Sequence, residues 1–196
     1  MISIAITGGI GSGKSYVSNL LKERGIPIYN ADDEAKRLML TNKDIRRDLI
    51  ALLGDSVYEN GVLNKPILAS YLFADANNAA RINRIVHPRV KADFRRWLEE
   101  RRDVQIAGLE CAILFEAGFE NTVDSVVMVY APETIRIKRA MMRDSATEAQ
   151  IRARIALQMN DEEKCRQSDF VIVNDGISSL EPQLTNLITQ LKNEKK

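Results

Sequence analysis

One run of glycines, set between two apolar stretches, constrains this chain more than any other segment. Gly8-Gly9-Ile10-Gly11-Ser12-Gly13-Lys14-Ser15 satisfies every fixed position of G-x-x-x-x-G-K-[ST]. The apolar run Ile2 to Ile6 ahead of it reads as a buried strand, and the spacing of Tyr16 to Leu21 behind it reads as a helix. A loop between those two elements must turn tightly, and glycine reaches backbone angles that other residues avoid. Such a loop points several N–H groups at one place, where the helix N-terminus adds partial positive charge. The expectation is a polyphosphate cradle built from Gly8, Gly9, Gly11, Ser12 and Gly13. Lys14 reaches the β- and γ-phosphates, Ser15 binds Mg²⁺ directly, and Tyr16 completes the ATP-binding set.

Four further apolar segments read as strands: Ile26 to Tyr29, Val104 to Leu109, Ser125 to Tyr130 and Phe170 to Val173. All five are continuous rather than alternating, as in parallel strands covered on both faces. Helical patterns separate them, which predicts an α/β fold of three layers around a five-stranded parallel sheet. With 196 residues the chain is read as a single unit. Its core covers about 1–30, 104–131 and 165–196. The stretch from about 31 to 103 reads as all helical: Asp33 to Leu40, Lys43 to Leu53, Pro66 to Phe73, Asn78 to Val86, and a long helix opened by His87-Pro88. That insertion is the expected substrate subdomain. A second, smaller helical excursion, about 132–164, is rich in arginine: Arg136, Arg139, Arg143, Arg152 and Arg154. Ser178 to Leu191 closes the fold, with fraying expected from Asn193 to Lys196.

Lys and Arg number 28 against 27 Asp and Glu, so the net charge of +1 gives no sign of bulk nucleic-acid binding. No apolar run approaches the roughly 20 residues that cross a bilayer. The N-terminus does not read as a signal peptide, and Cys111 and Cys165 fit no metal spacing. A cytoplasmic protein with no membrane association and no obligate protein partner is expected.

Several residues outside the loop are candidates for chemistry. Asp32 follows the second strand, where a carboxylate could take a proton from an attacking hydroxyl. Equally, Asn30 could cap the next helix and leave Asp32 and Asp33 in its first turn, where negative charge is favoured. Arg136, Arg139 and Arg143 fall on one helical face, suited to neutralising a transferring phosphoryl group or simply to a solvated basic surface. Glu110, at the end of the third strand, suits the water shell of Mg²⁺. His87 is the only histidine. Asn174-Asp175-Gly176 reads as a turn suited to backbone contacts with adenine. Neither N-K-x-D nor a D-x-x-G after the third strand is present, which argues against a switch GTPase.

Taken together, these segments resemble the dephospho-CoA kinase family over nearly the whole chain. Thr7 to Ser15 is similar to the family's phosphate loop. Asn30-Ala31-Asp32, with Ala35 and Arg37, is similar to its D-A-D-x-x-A-R segment. Asn83 to Pro88 resembles L-N-x-I-x-H-P, and Leu114-Phe115-Glu116 the end of P-L-L-F-E. Pro132-Glu133-Thr134, Lys138-Arg139, Arg143-Asp144 and Arg154 to Gln158 resemble its lid. Asn30, Ala112 and Tyr16 depart from the pattern, which carries aspartate, proline and commonly threonine there. The resemblance implies Mg²⁺-dependent transfer of a phosphoryl group from ATP to the ribose 3′-hydroxyl of dephospho-CoA. It implies Asp32 as base, the helical insertion as substrate domain with His87 near that site, and the arginine-rich segment 132–164 as a small lid; Lys14 and, among the lid arginines, Arg139 and Arg143 are the expected catalytic cations. A kinase for another small acceptor, such as a nucleotide or shikimate, and an ATP-sensing binding module are the alternatives.

Overall fold

The computed structural model describes residues 1–75 and 77–193. In chain order they form β1 (Ile2–Thr7), α1 (Lys14–Glu23), β2 (Ile28–Asn30), α2 (Ala31–Thr41), α3 (Lys43–Leu53), β3 (Tyr58–Glu59), β4 (Val62–Leu63), α4 (Lys65–Ala74) and α5 (Asn78–Glu99). There follow β5 (Ile106–Glu110), β6 (Ser125–Tyr130), α6 (Glu133–Asp144), α7 (Glu148–Ile155), α8 (Asp161–Arg166), β7 (Phe170–Val173) and α9 (Leu180–Asn193). Two compact units result: Met1–Tyr29 with Leu98–Lys196, and Asn30–Trp97. The expected fraying from Asn193 concerns residues 194–196, which lie outside the described residues.

The first unit is built on a five-stranded sheet in the order β2-β5-β1-β6-β7. Strand β1 pairs in parallel with β5 and β6, and β6 with β7. Every residue of β1 is buried, as a central strand covered on both faces requires. Its isoleucines pack with Val17 and Leu21 of α1 and with Leu184, Leu187 and Leu191 of α9. Each such side chain contributes about 1.5–3 kcal/mol by leaving water. Parallel pairing has a functional consequence. The carboxyl ends at Thr7, Glu110, Tyr130 and Val173 fall along one edge, where ligands of open α/β sheets bind.

In the second unit, asparagine side chains start three helices. Asn30 accepts from the N–H groups of Asp32 and Asp33, Asn42 from those of Asp44 and Ile45, and Asn64 from that of Ile67. Asn30 therefore takes the capping role open to it in the sequence, and Asp32 lies in the first turn of α2. Two partly exposed ion pairs tie the helices: Arg37 to Asp93 at 2.6 Å and Arg89 to Asp48 at 2.6 Å.

Three expectations need correction. Strands β2 and β5 begin at Ile28 and Ile106, two residues later than the apolar runs suggest. The segment expected to be all helical contains the hairpin β3–β4, whose turn residues Asn60 and Gly61 both have positive φ. Asn-Gly is the strongest short-range hairpin signal, and it stands in the sequence. Finally, the two helices expected on either side of His87-Pro88 are one, α5, with Pro88 inside it. A proline in a helix interior costs about 3 kcal/mol. Here Ile82, Val86, Val90 and Phe94, spaced by four, form one buried stripe that runs straight past it. Pro88 sits on the exposed face, and the Arg89 guanidinium donates to the neighbouring Ile85 carbonyl at 3.1 Å.

Candidate functional site

Strand β1 ends at Thr7 and α1 begins at Lys14, so the six intervening residues form the glycine loop. Gly13 caps α1 in the left-handed conformation, φ 91° and ψ 22°. A side chain there would be strained, and a Cβ would stand 2.1 Å from Asn174 Nδ2. A glycine cap offers no side-chain acceptor to the first-turn N–H groups. They keep the positive end of α1 available to an anion.

Gly13, Lys14, Ser15 and Tyr16 share a pocket of about 240 Å³ with Arg139 and Arg143 of α6. Three cationic side chains thus line one cavity at the positive end of a helix. Tyr16 is 59% exposed there. The Ser15 hydroxyl donates to Glu110 Oε1 at 2.6 Å, and Glu110 is itself buried at the end of β5. A hydroxyl and a carboxylate are hard oxygen ligands that suit Mg²⁺, which keeps most of its shell as water and phosphate oxygen. No group of three or more His, Cys, Asp or Glu placed to hold a metal ion is present among the described residues. A cation here would therefore rely on substrate oxygens, as Mg²⁺ at nucleotide sites does.

The arginines of α6 separate into three environments rather than one basic face. Arg136 is buried, with its guanidinium Nε 3.2 Å from Asp161 Oδ2. Arg139 is half-buried and donates to the Asn174 carbonyl at 2.8 Å. Arg143 is exposed and donates to Asp144 Oδ1 at 2.7 Å, and this carboxylate raises its pKa against the opposing effect of burial. A solvent-exposed pair of this kind adds little to stability, so Arg143 can exchange partners readily. Asn174 donates from its side chain to the Ser12 carbonyl at 2.8 Å, joining the end of β7 to the loop.

Asp32 and His87 belong to the second unit, together with Lys91. Asp32 is exposed. His87 is half-buried, and burial lowers its pKa, aided by the charge of Lys91, while Asp32 pulls it back up. The imidazole is accordingly neutral at pH 7.

Sequence reasoning missed Lys164. It is fully buried, donates to the Ala112 carbonyl at 2.9 Å and pairs with Glu116 Oε1 at 3.0 Å. It missed the Arg136–Asp161 pair as well. The partners stand 25 residues apart in a segment dense with surface charge, so no local spacing marks them.

The fold and the loop define a phosphate-loop kinase of three-layer α/β architecture. The family model described as dephospho-CoA kinase matches residues 2–179, and the chain belongs to that family. A Bacteroides fragilis protein named dephospho-CoA kinase is 50% identical over 190 residues, 97% of this chain and 93% of that one. A crystal structure from Thermus thermophilus superposes with a TM-score of 0.78 at 32% identity, covering 98% and 97% of the two chains. The dephospho-CoA kinase structure from Campylobacter jejuni shares the fold at a TM-score of 0.71 and 21% identity, over 99% and 98%.

Proposed function

We propose that this protein transfers the γ-phosphoryl group of ATP to the ribose 3′-hydroxyl of dephospho-CoA, giving CoA and ADP. Membership of the family supports the reaction. The observation that carries the chemistry is the convergence of Lys14, Ser15, Arg139 and Arg143 on one pocket at the positive end of α1.

In this reading the loop N–H groups and Lys14 hold the β- and γ-phosphates. Ser15 and Glu110 are the residues that would hold Mg²⁺, Ser15 directly and Glu110 through water. The cation held there would supply positive charge against the negative charge that develops on the transferring phosphoryl group. Asp32 accepts the proton of the 3′-hydroxyl as that oxygen bonds to the γ-phosphorus. The bond from the γ-phosphorus to the bridging oxygen breaks, and ADP departs. His87, neutral at pH 7, contributes a hydrogen bond to the acceptor. Arg139 and Arg143 stabilise the transferring group and exclude water, a competing nucleophile.

The second unit is the acceptor domain in this reading, and the segment 132–164 is the lid. No described helix is long and apolar enough to cross a membrane, and we place the enzyme in the cytoplasm. The test is ADP release with Mg-ATP and a panel of acceptors. Dephospho-CoA should accelerate release by orders of magnitude, and shikimate and nucleoside monophosphates should leave it at the background rate. Release that ignores every acceptor would point instead to an ATP-sensing module.

A further inference from the structure

The phosphate loop does not stand on its own strand and helix alone. Three consecutive residues of it are clasped by the segment that follows β6. A Cβ on Gly9 would sit 2.0 Å from Arg136 Nη1 and 2.7 Å from Asp161 Oδ1. The Ile10 N–H donates to Gln158 Oε1 at 3.0 Å. A Cβ on Gly11 would sit 2.1 Å from the Arg136 carbonyl oxygen. Ile10 also packs against Ile137, Ala140 and Ile151.

At the centre of this clasp is a buried ion pair. Arg136 is 4% exposed, and its Nε lies 3.2 Å from Asp161 Oδ2. Neither of these two buried atoms has a well-aligned hydrogen bond among the described residues. Burial pushes the Asp161 carboxyl above the usual carboxylate range, against the pull of Arg136 and Lys164; Glu133 and Glu116 push in the same direction as burial. A buried pair of this kind is weak evidence for a stabilising role, since desolvation can exceed the Coulombic gain. Its position suggests another use. The guanidinium fills the space that a side chain on residue 9 would need, and the same helix, α6, carries Arg139 and Arg143 into the nucleotide pocket.

We propose that Arg136 and Asp161 are positioning residues, whose buried pair props the phosphate loop and registers it against the two arginines of α6. Neither residue lines the pocket that Lys14, Arg139 and Arg143 share. The proposal rests on the reading of the loop as the ATP site.

Gly9 supplies a clean probe, because its backbone is not in the left-handed region and the three atoms nearest to a Cβ there all belong to Arg136 and Asp161. Three variants form a cycle: Gly9→Ala, Arg136→Ala and the double variant. ATP affinity is measured by calorimetry and turnover by ADP release, with circular dichroism reporting the folded fraction. Misplacement of a reacting group by about 1 Å can cost roughly a hundredfold. Each single variant should therefore lose on the order of tenfold or more in kcat/KM for ATP. In the Arg136→Ala background, Gly9→Ala should add less than about twofold, since the nearer obstacle is gone and the Asp161 carboxylate, 2.7 Å away at the end of a flexible side chain, is no longer held by the guanidinium. Arg136→Lys, which keeps the charge, should recover part of the loss. Where Arg136→Ala folds poorly, Arg136→Gln takes its place in the cycle. Multiplied penalties in the double variant, or an unchanged KM for ATP in the folded Arg136 variants, would overturn the proposal. A wild-type protein that binds no ATP would overturn both it and the phosphate-loop reading.

Discussion

The phosphate loop and the helical unit of residues 30–97 are made by opposite means. The loop is built for recognition by backbone: glycines at φ values that side chains resist, and amides aimed by one helix. Its recognition is generic, for any triphosphate offers the same oxygens. In the proposed reading the helical unit works through side chains, Asp32 on α2, whose start is fixed by the Asn30 cap, and His87 on α5. Backbone recognition demands a local sequence and advertises itself there. Side-chain recognition is assembled from positions far apart in sequence, and a caps-and-stripes pattern reveals the scaffold without revealing the ligand.

Substitutions should divide along the same line. The largest effect falls on the loop. Lys14→Ala should reduce kcat/KM to less than about one thousandth, since a lost donor to developing charge costs about 3–4 kcal/mol and ground-state grip, read in KM, goes with it. A variant retaining a tenth of the activity would break the loop's primacy. Next comes Asp32→Asn, which should lower kcat about a hundredfold, as loss of general base catalysis does, while the Kd for ATP stays within about twofold. An equal loss of ATP affinity would mean that the two regions do not divide the work in this way.

The first prediction was legible in eight residues, and so was most of the core. The five strands announce themselves as continuous apolar runs, and α3 runs from Lys43 to Leu53 as its spacing implies. The errors arise where a local rule met a longer-range one. His87-Pro88 reads as a helix start, but the buried stripe from Ile82 to Phe94 carries the helix through. Apolar Ile26 and Val104 extend their strands on paper, although ladder pairing begins only at Ile28 and Ile106. The three arginines of α6 share a face by spacing, yet Asp161 draws Arg136 into the interior. Contacts of that kind are tertiary, and nothing within four residues of either partner signals them.

Smaller effects sharpen the contrast within the helical unit. Asn30→Ala removes the acceptor for the N–H groups of Asp32 and Asp33 and should cost about 1 kcal/mol of stability. Urea titration would measure it. Asn30→Asp should preserve the cap, and a large loss there would show that the amide does more than cap. The smallest effect concerns His87, the single histidine. Its pKa is lowered in the fold, so the unfolded chain takes up its proton first as pH falls. Its contribution to stability is therefore complete above about pH 6.5, the unfolded value. It is lost as pH falls through the lower folded value. The one imidazole resonance should titrate below pH 6.5, and His87→Gln should flatten the acid side of the stability curve. Titration at or above pH 6.5 would contradict the half-buried environment.

The most direct measurement of the shared reaction is the mass and ³¹P spectrum of the product formed from Mg-ATP and dephospho-CoA. The account predicts the gain of one phosphoryl group, appearing as a phosphate monoester on the ribose 3′-oxygen, absent with Lys14→Ala. ATP consumed with no mass gained by the acceptor, or a phosphoryl group found elsewhere on it, would contradict the account.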